Sequence, residues 1–354
     1  MLKSDRRVNA ITRAADAIAL SRVLSAIGFL LLLIVIVSGM TRLSGAGLSI
    51  TEWKPVTGII PPLSDAQWEL EFEAYRGIPQ FKHVTGPAGM TLADYKVIYF
   101  CEWAHRLLAR LIGLAFLLSI GWLWMRGRIP AGYRPRLAAL VFLVAIQGIV
   151  GWWMVTSGLT QDVKVSHLRL AIHQALALVT LGCVVWTALD LNASACGAPA
   201  ARLAPFAWIV LAALFFQMLL GAMVAGLQAG YVAGAGWGNL EAWPQMQGSL
   251  VPRGIDWSRG LAFAGLNDPY LIHFVHRWWA LALLLMLAVT ARMLRDRNQR
   301  SAAFAIGGLA GAQVILGVAT IWSGMSIWLA AGHQFLGAVL LCTTTYGLHI
   351  IGRR

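Results

Sequence analysis

Charge is scarce in this 354-residue sequence: Asp, Glu, Lys and Arg make up 12% of it, and the bases outnumber the acids 28 to 15. With 58% hydrophobic residues and a mean hydropathy of +0.69, so little charge excludes an ordinary soluble domain, in which about a quarter of residues are charged. Cysteine is scarce as well, with four in all. Cys183 and Cys342 fall inside apolar runs, Cys196 in a short loop, and Cys101 stands alone at an outer span end. Without a cysteine pair in the outer loops, neither a loop disulfide nor a cysteine-based metal site is expected. A small-residue cleavage site is also missing after the first apolar run, which ends in Met40-Thr41-Arg42. The basic stretch 1–21 and that run therefore read as a retained first span and not as a signal peptide. Asp5 and Asp16 argue against a mitochondrial presequence.

What the sequence does have is apolar length. Runs near Val23–Met40, Ala104–Met125, Leu137–Thr156, Leu168–Leu189, Phe206–Gly226, Ile272–Met293, Ala302–Trp322 and Ile327–Ile350 each approach the roughly 20 residues needed to cross a bilayer. Only a helical bundle satisfies the backbone over such segments. The expected fold is an all-α, multi-pass membrane protein with eight transmembrane helices, 1–354 forming one membrane domain.

The formal charge of +13 is a matter of distribution. One side of the expected topology carries Lys3, Arg6, Arg7, Arg13, Arg22, Arg126, Arg128, Arg134, Arg136, Arg202, Arg292, Arg295, Arg297, Arg300, Arg353 and Arg354, against Asp5, Asp16, Asp190 and Asp296. The other side holds the remaining 12 bases and 11 acids. This is the positive-inside pattern, which puts both termini in the cytoplasm. The basicity sets topology, with membrane lipid as the surroundings, and no nucleic-acid partner is expected.

The eight spans divide into an N-terminal four-helix half, 23–190, and a C-terminal four-helix half, 203–351, joined in the loop Asn192–Arg202. An even number of spans per half gives a parallel repeat about an axis along the membrane normal. Histidines mark the repeat. His105-Arg106 and His173-Gln174 in the first half match His276-Arg277 and His333-Gln334 in the second. Between them Gln147, Gly151 and Ser157-Gly158 match Gln313, Gly317 and Ser323-Gly324 at identical offsets of 4, 10 and 11. Imidazoles inside apolar spans are costly and mark function. All four fall in the outer half of the membrane, and two on neighbouring helices per half point to two haem sites related by duplication. A single histidine on an apolar helix is ordinarily a satisfied core residue; four at repeated positions are not well explained that way.

The other histidines read more blandly: His273 either supports the second site or is structural, His167 and His83 are surface residues, and His349 is interfacial. The repeat has one chemical asymmetry. Three residues before the shared histidine stands Glu102 in the first half and His273 in the second. A partly buried carboxylate there suits proton transfer or stabilisation of positive charge; the bland alternative is a pair with Arg106 or Arg110. Arg42, Arg106 and Arg277 are candidate partners for haem carboxylates, with helix-end anchoring as their alternative. Two long outer loops, Thr41–Tyr99 and Leu227–Tyr270, carry Trp53, Trp68, Trp237, Trp243 and Trp257, either an interfacial belt or a cover over a flat apolar ligand.

From Gly39 to Gly347 the chain resembles the haem A synthase family. The resemblance is carried by GMTRLSGAGLSITEWKPVTGIIPP (Gly39–Pro62), GMTLADYKVIYFCEWAHRLLARLIG (Gly89–Gly113), QGIVGWWMVTSGL (Gln147–Leu159), HLRLAIHQALAL (His167–Leu178), HFVHRWWAL (His273–Leu281) and AGHQFLGA (Ala331–Ala338). It implies oxidation of the ring-position-8 methyl of haem O to a formyl group by successive hydroxylations, the gem-diol losing water to give haem A. By the same resemblance His276 and His333 are axial ligands of a haem b cofactor. His105 and His173 face the iron of the substrate haem, and Glu102 is the essential acid. A haem O synthase and an electron-transfer partner are the implied protein partners, and a bacterial inner membrane the implied location. The family branch with cysteine pairs in its outer loops is not matched, so this is the proteobacterial and mitochondrial type. Read from the residues alone, a dihaem b-type electron-transfer cytochrome and a haem transporter or chaperone remain open. The first leaves Glu102 without a task; the second would release haem with its methyl intact.

Overall fold

The computed structural model describes residues 2–160 and 162–353, with side chains from residue 11 onward. The side chains of Lys3, Asp5, Arg6 and Arg7, and all of Arg354, lie outside the described residues. Among the described residues there is no strand, and eight helices are long and apolar enough to cross a membrane. They are α1 (Leu2–Leu43), α3 (Leu92–Met125), α4 (Arg134–Thr160), α5 (His167–Ala195), α6 (Pro205–Gly226), α8 (Pro269–Asp296), α9 (Arg300–Trp322) and α10 (Ile327–Gly352). Two short helices, α2 (Asp65–Arg76) and α7 (Leu261–Asn267), lie in the long loops. The chain is a multi-pass membrane protein.

Several helices start earlier than the apolar runs because polar caps extend them. Thr91 and Asp94 form a reciprocal capping box that starts α3 well before Ala104. Asp268 caps α8 ahead of Pro269, which tolerates the first turn because its missing N–H has no helical partner there. Ser64 and Gln67 make a second box that starts α2 inside the long loop Thr41–Tyr99.

Two apolar cores run side by side. Leu20, Leu24, Phe116, Ile120, Leu137 and Val184 join α1, α3, α4 and α5. Val210, Leu214, Leu287, Ile306, Leu341 and Leu348 join α6, α8, α9 and α10. The two meet where α1 packs on α10 and α5 on α6 and α10. At the loop-bearing end a third, aromatic cluster of Trp68, Phe72, Tyr75, Tyr95 and Tyr99 clamps α2 onto α3.

The opposite end is basic, and two of its acids, Asp16 and Asp190, are paired. Arg128 donates to Asp16 at 2.6 Å. Asp190, 3% exposed, is held by Arg136 at 2.6 Å and by His349 at 2.7 Å, and Arg353 donates to the other ring nitrogen of His349. His349 is therefore fully buried, not interfacial. Its partner Asp190 is a buried carboxylate, which is tolerable only with such partners. This network ties the end of α5 to the end of α10, the helices that carry His173 and His333.

Candidate functional site

Each of the four histidines projects from a helix into its own four-helix group. In the second group His276 (α8) and His333 (α10) face one another, with ring centroids 6.5 Å apart and planes at 82°. In the first group His105 (α3) and His173 (α5) make no corresponding ring contact.

The residues echoed between the halves are the packing around these rings. Gln147 of α4 donates to the His173 carbonyl at 3.0 Å, and Gln313 of α9 to the His333 carbonyl at 2.9 Å. One turn along each helix, a glycine lets the imidazole lie against bare backbone. A Cβ on Gly151 would come within 2.9 Å of His173 Cε1, and one on Gly317 within 3.1 Å of His333 Cε1. Ser157 and Ser323 then accept from the backbone N–H of Ser166 and Ser326, at 2.8 and 3.1 Å, closing the turn into the next helix.

A third amide has no partner in that echo. Gln217 of α6 donates to the His276 carbonyl at 3.1 Å, and its nitrogen lies 3.2 Å from His276 Nδ1. A Cβ on Gly221, one turn on, would meet His276 Cε1 at 3.2 Å. The Oε1 atoms of Gln147, Gln217 and Gln313 and the Nδ1 of His333 are buried without partners. Buried polar atoms are seldom left so, and here four of them gather around imidazoles.

Glu102 is 2% exposed, and both its oxygens are occupied. Oε1 accepts from Arg106 Nε and Nη2 at 2.9 and 2.6 Å. Oε2 accepts from Ser49 Oγ at 2.7 Å and from the Ile50 N–H at 2.9 Å. Arg106 goes on to donate to the carbonyls of Ile50 and Glu52, and Arg110 to those of Lys54 and Pro55. The carboxylate thus stitches the loop 49–55 to α3 one turn from His105. Arg106 is its pair; Arg110 is not. A proton-transfer role would require one of the four donors to leave.

At the matching place in the second group His273 is buried too, at 3%. Its Nδ1 lies 2.7 Å from the Ala229 carbonyl, and its Nε2 accepts from Arg277 Nε at 3.1 Å. Both ring nitrogens are spent on the loop and on Arg277, which marks a structural histidine and not an iron ligand. Arg277 donates further to the Gln245 carbonyl and leaves Nη2 buried and unpartnered. Arg42, at the end of α1, donates to Gln334 Oε1 at 2.9 Å, and Gln334 donates back to the Val35 carbonyl at 3.1 Å. Arg42 thereby joins the two groups next to His333. His167 Nε2 lies 2.8 Å from the Leu266 carbonyl, His83 is exposed, and all four cysteines are free. Of the loop tryptophans, Trp68 is buried in the aromatic cluster and Trp53 stacks on Trp152 of α4.

Sequence reasoning missed Gln217 and the Asp190–His349 pair. Gln217 stands alone as a polar residue in the apolar run Phe206–Gly226, and that was the available signal. Asp190 and His349 are 159 residues apart, and nothing local connects them.

A family model described as COX15-CtaA, cytochrome oxidase assembly protein, matches residues 21–345. The chain is 55% identical over 340 residues to the haem A synthase of Novosphingobium aromaticivorans, covering 96% of this chain and 97% of that one. It is 50% identical over 338 residues to that of Sphingopyxis alaskensis, with coverages of 95% and 93%. For Erythrobacter litoralis haem A synthase the figures are 48% over 338 residues, with 94% and 97% covered. With matches of this extent, the chain belongs to the COX15-CtaA family of cytochrome oxidase assembly proteins.

Proposed function

We propose that this chain is a haem A synthase: a membrane oxidoreductase that takes haem O and oxidises its ring-position-8 methyl to the formyl group of haem A. The relatives named for that activity align with it end to end. A haem b held by His276 and His333 is the resident cofactor, and the first four-helix group receives the substrate haem between His105 and His173. The observation that carries the cofactor assignment is the ring spacing. A metal–imidazole bond is roughly 2.0–2.1 Å, and two such bonds plus the two ring radii come to about the 6.5 Å found between His276 and His333. The unpartnered atoms of His333, Gln217 and Gln313 fit the same reading, since a ligating imidazole uses its second nitrogen to bond a neighbouring acceptor. When bound, such a haem supplies one-electron transfer.

The remaining chemistry belongs to the chain's own residues. Gln217 and Gln313 fix the helix positions from which the two imidazoles reach inward. Gly221 and Gly317 give those rings room against the neighbouring helix. In the first group Glu102 holds Arg106 and the loop 49–52 in place above His105, keeping that end closed to water while a methyl group is oxidised. A fully bonded carboxylate paired with Arg106, and not an open proton site, is what the geometry offers. Both termini lie on the cytoplasmic side, in keeping with the basic end of the bundle, and the membrane is the bacterial inner membrane. A haem O synthase delivering the substrate and an electron-transfer partner complete the assembly.

The test is to express the chain with a source of haem O, extract the pigments and identify them by mass. Haem A beside haem b is the expected result. Haem b alone would favour an electron-transfer cytochrome, and unchanged haem O beside haem b a carrier.

A further inference from the structure

The two halves treat the arginines of the basic end differently. In the first half Arg126 and Arg128 lie over the Trp122 ring and Arg134 over that of Trp124. Arg128 also pairs with Asp16, and Arg136 with Asp190. At the matching end of α8, Arg292 and Arg295 are exposed. Their side chains make no hydrogen bond, ion pair or ring contact among the described residues. With Ala288 and Asp296 they line a cavity of about 340 Å³. Two guanidinium groups against one carboxylate leave that cavity with positive charge in excess.

The face of α8 that leads to this cavity is apolar and exposed. Leu281, Leu285 and Val289 are all exposed large side chains. Steps of three and four residues put them on one side of the helix with Ala288, Arg292 and Arg295. Leu281 and Arg292 are eleven residues apart, roughly 16 Å of helix at about 1.5 Å per residue. That is close to half of the roughly 30 Å hydrocarbon core of a bilayer. The stripe has the height of one leaflet, and the arginines stand at its polar edge.

A guanidinium matches a phosphate with paired N–H donors, and acyl chains need an apolar surface of leaflet height beneath it. Topology alone asks for basic residues on this side, and the partnered arginines of the first half meet that demand without a cavity. We infer that the end of α8 binds an anionic phospholipid of the phosphatidylglycerol kind. Its phosphodiester lies between Arg292 and Arg295, and its chains run along Leu281, Leu285 and Val289. A headgroup with one negative charge and no amine neutralises the excess; a choline headgroup, with its own cation, leaves it standing. The next arginine, Arg297, donates to the Ile350 and Ile351 carbonyls at the end of α10. The lipid therefore sits beside the joint between the helices that carry His276 and His333. It supplies from outside the counter-charge that Asp16 and Asp190 supply from within the first half.

The test uses the full chain, purified in mild detergent and stripped of lipid. It is titrated with phosphatidylglycerol or phosphatidylcholine while bound lipid is counted by native mass spectrometry. The parent should bind phosphatidylglycerol more tightly. A basic residue near a membrane surface contributes about 1 kcal/mol toward anionic lipid, about 5-fold in affinity. Arg292→Gln and Arg295→Gln together should therefore weaken the first binding step about 30-fold. Arg126→Gln with Arg134→Gln removes as much charge from the same end and should bind like the parent. Ala288→Trp fills the cavity without changing charge and should weaken binding. Inorganic phosphate in excess should not displace the lipid, because it has no chains to lie on the stripe. Equal uptake of the two lipids by the parent, equal losses in the two arginine pairs, or displacement by phosphate would each overturn the site. So would parental binding by folded Ala288→Trp; if that variant does not fold, the two arginine pairs decide.

Discussion

The loop-bearing ends of α3 and α8 share a plan and differ in its buried polar residue. Each presents a buried polar group, an arginine four residues later and a loop whose carbonyls that arginine bonds. On α3 the buried group is Glu102; on α8 it is His273. With glutamate the arginine is paired through two bonds to one carboxylate oxygen, and the loop hangs on a carboxylate with four donors. With histidine the arginine has one nitrogen unpartnered and no carboxylate beside it. One arginine is paired by its own helix; the other has no carboxylate beside it and would suit an anionic group of the haem b proposed above. The difference teaches that the same architecture yields an internally paired arginine or an arginine without an anion according to whether the helix supplies its own carboxylate.

The largest expected effect of breaking this comparison is at Glu102. Glu102→Gln leaves Arg106 buried without its counter-charge, and removing one partner of such a pair costs about 3–5 kcal/mol. Haem A formation should fall at least about 100-fold while haem b stays bound and reducible. Cysteine labelling at a substituted Ser49 should show the loop opened, and Glu102→Asp should restore part of the activity. Folded Glu102→Gln with near-normal conversion of haem O would remove the carboxylate from the account.

A smaller loss is expected on the other side. His273→Ala deletes two hydrogen bonds at a buried position, worth about 1–3 kcal/mol where partners are stranded. The haem-loaded protein should melt several degrees lower yet keep an unchanged low-spin spectrum. Loss of that spectrum would make His273 a ligand and erase the contrast with Glu102.

The smallest effects come from the glycines. Gly151→Ala and Gly317→Ala each push a methyl against an imidazole, an overpacking that costs about 1–3 kcal/mol. The first should slow conversion and leave the resident haem spectrum alone; the second should shift that spectrum and its midpoint potential. The same response from both would mean that the groups do not divide the work.

Much of this architecture was legible in the sequence because membrane spans and repeated polar residues are local signals. The eight runs, the four histidines and the Gln–Gly–Ser echo are all read from short windows, and the structure assigns the echo to contacts around the rings. The capping boxes at Ser64 and Thr91 were equally local but lay in loops where apolar periodicity was the guide. Gln217 escaped because α1 has no counterpart to it: a search for matches cannot find what one half lacks. The four donors on Glu102 come from Ser49, Ile50 and Arg106, and only the chain's return over α3 brings the first two within reach. Burial of His349 likewise depends on Asp190, supplied by a helix far away in sequence.

The central claim is that the two four-helix groups hold different haems. It is tested most directly by mass-resolved haem content of four purified variants, His105→Ala, His173→Ala, His276→Ala and His333→Ala. The account expects the last two to lose low-spin haem b, because a haem held by both imidazoles would lose one of its two protein ligands. The first two should retain haem b in full and lose haem O and haem A. Retention of full haem b in both His276→Ala and His333→Ala, or its loss from His105→Ala or His173→Ala with the other pair intact, would contradict the division.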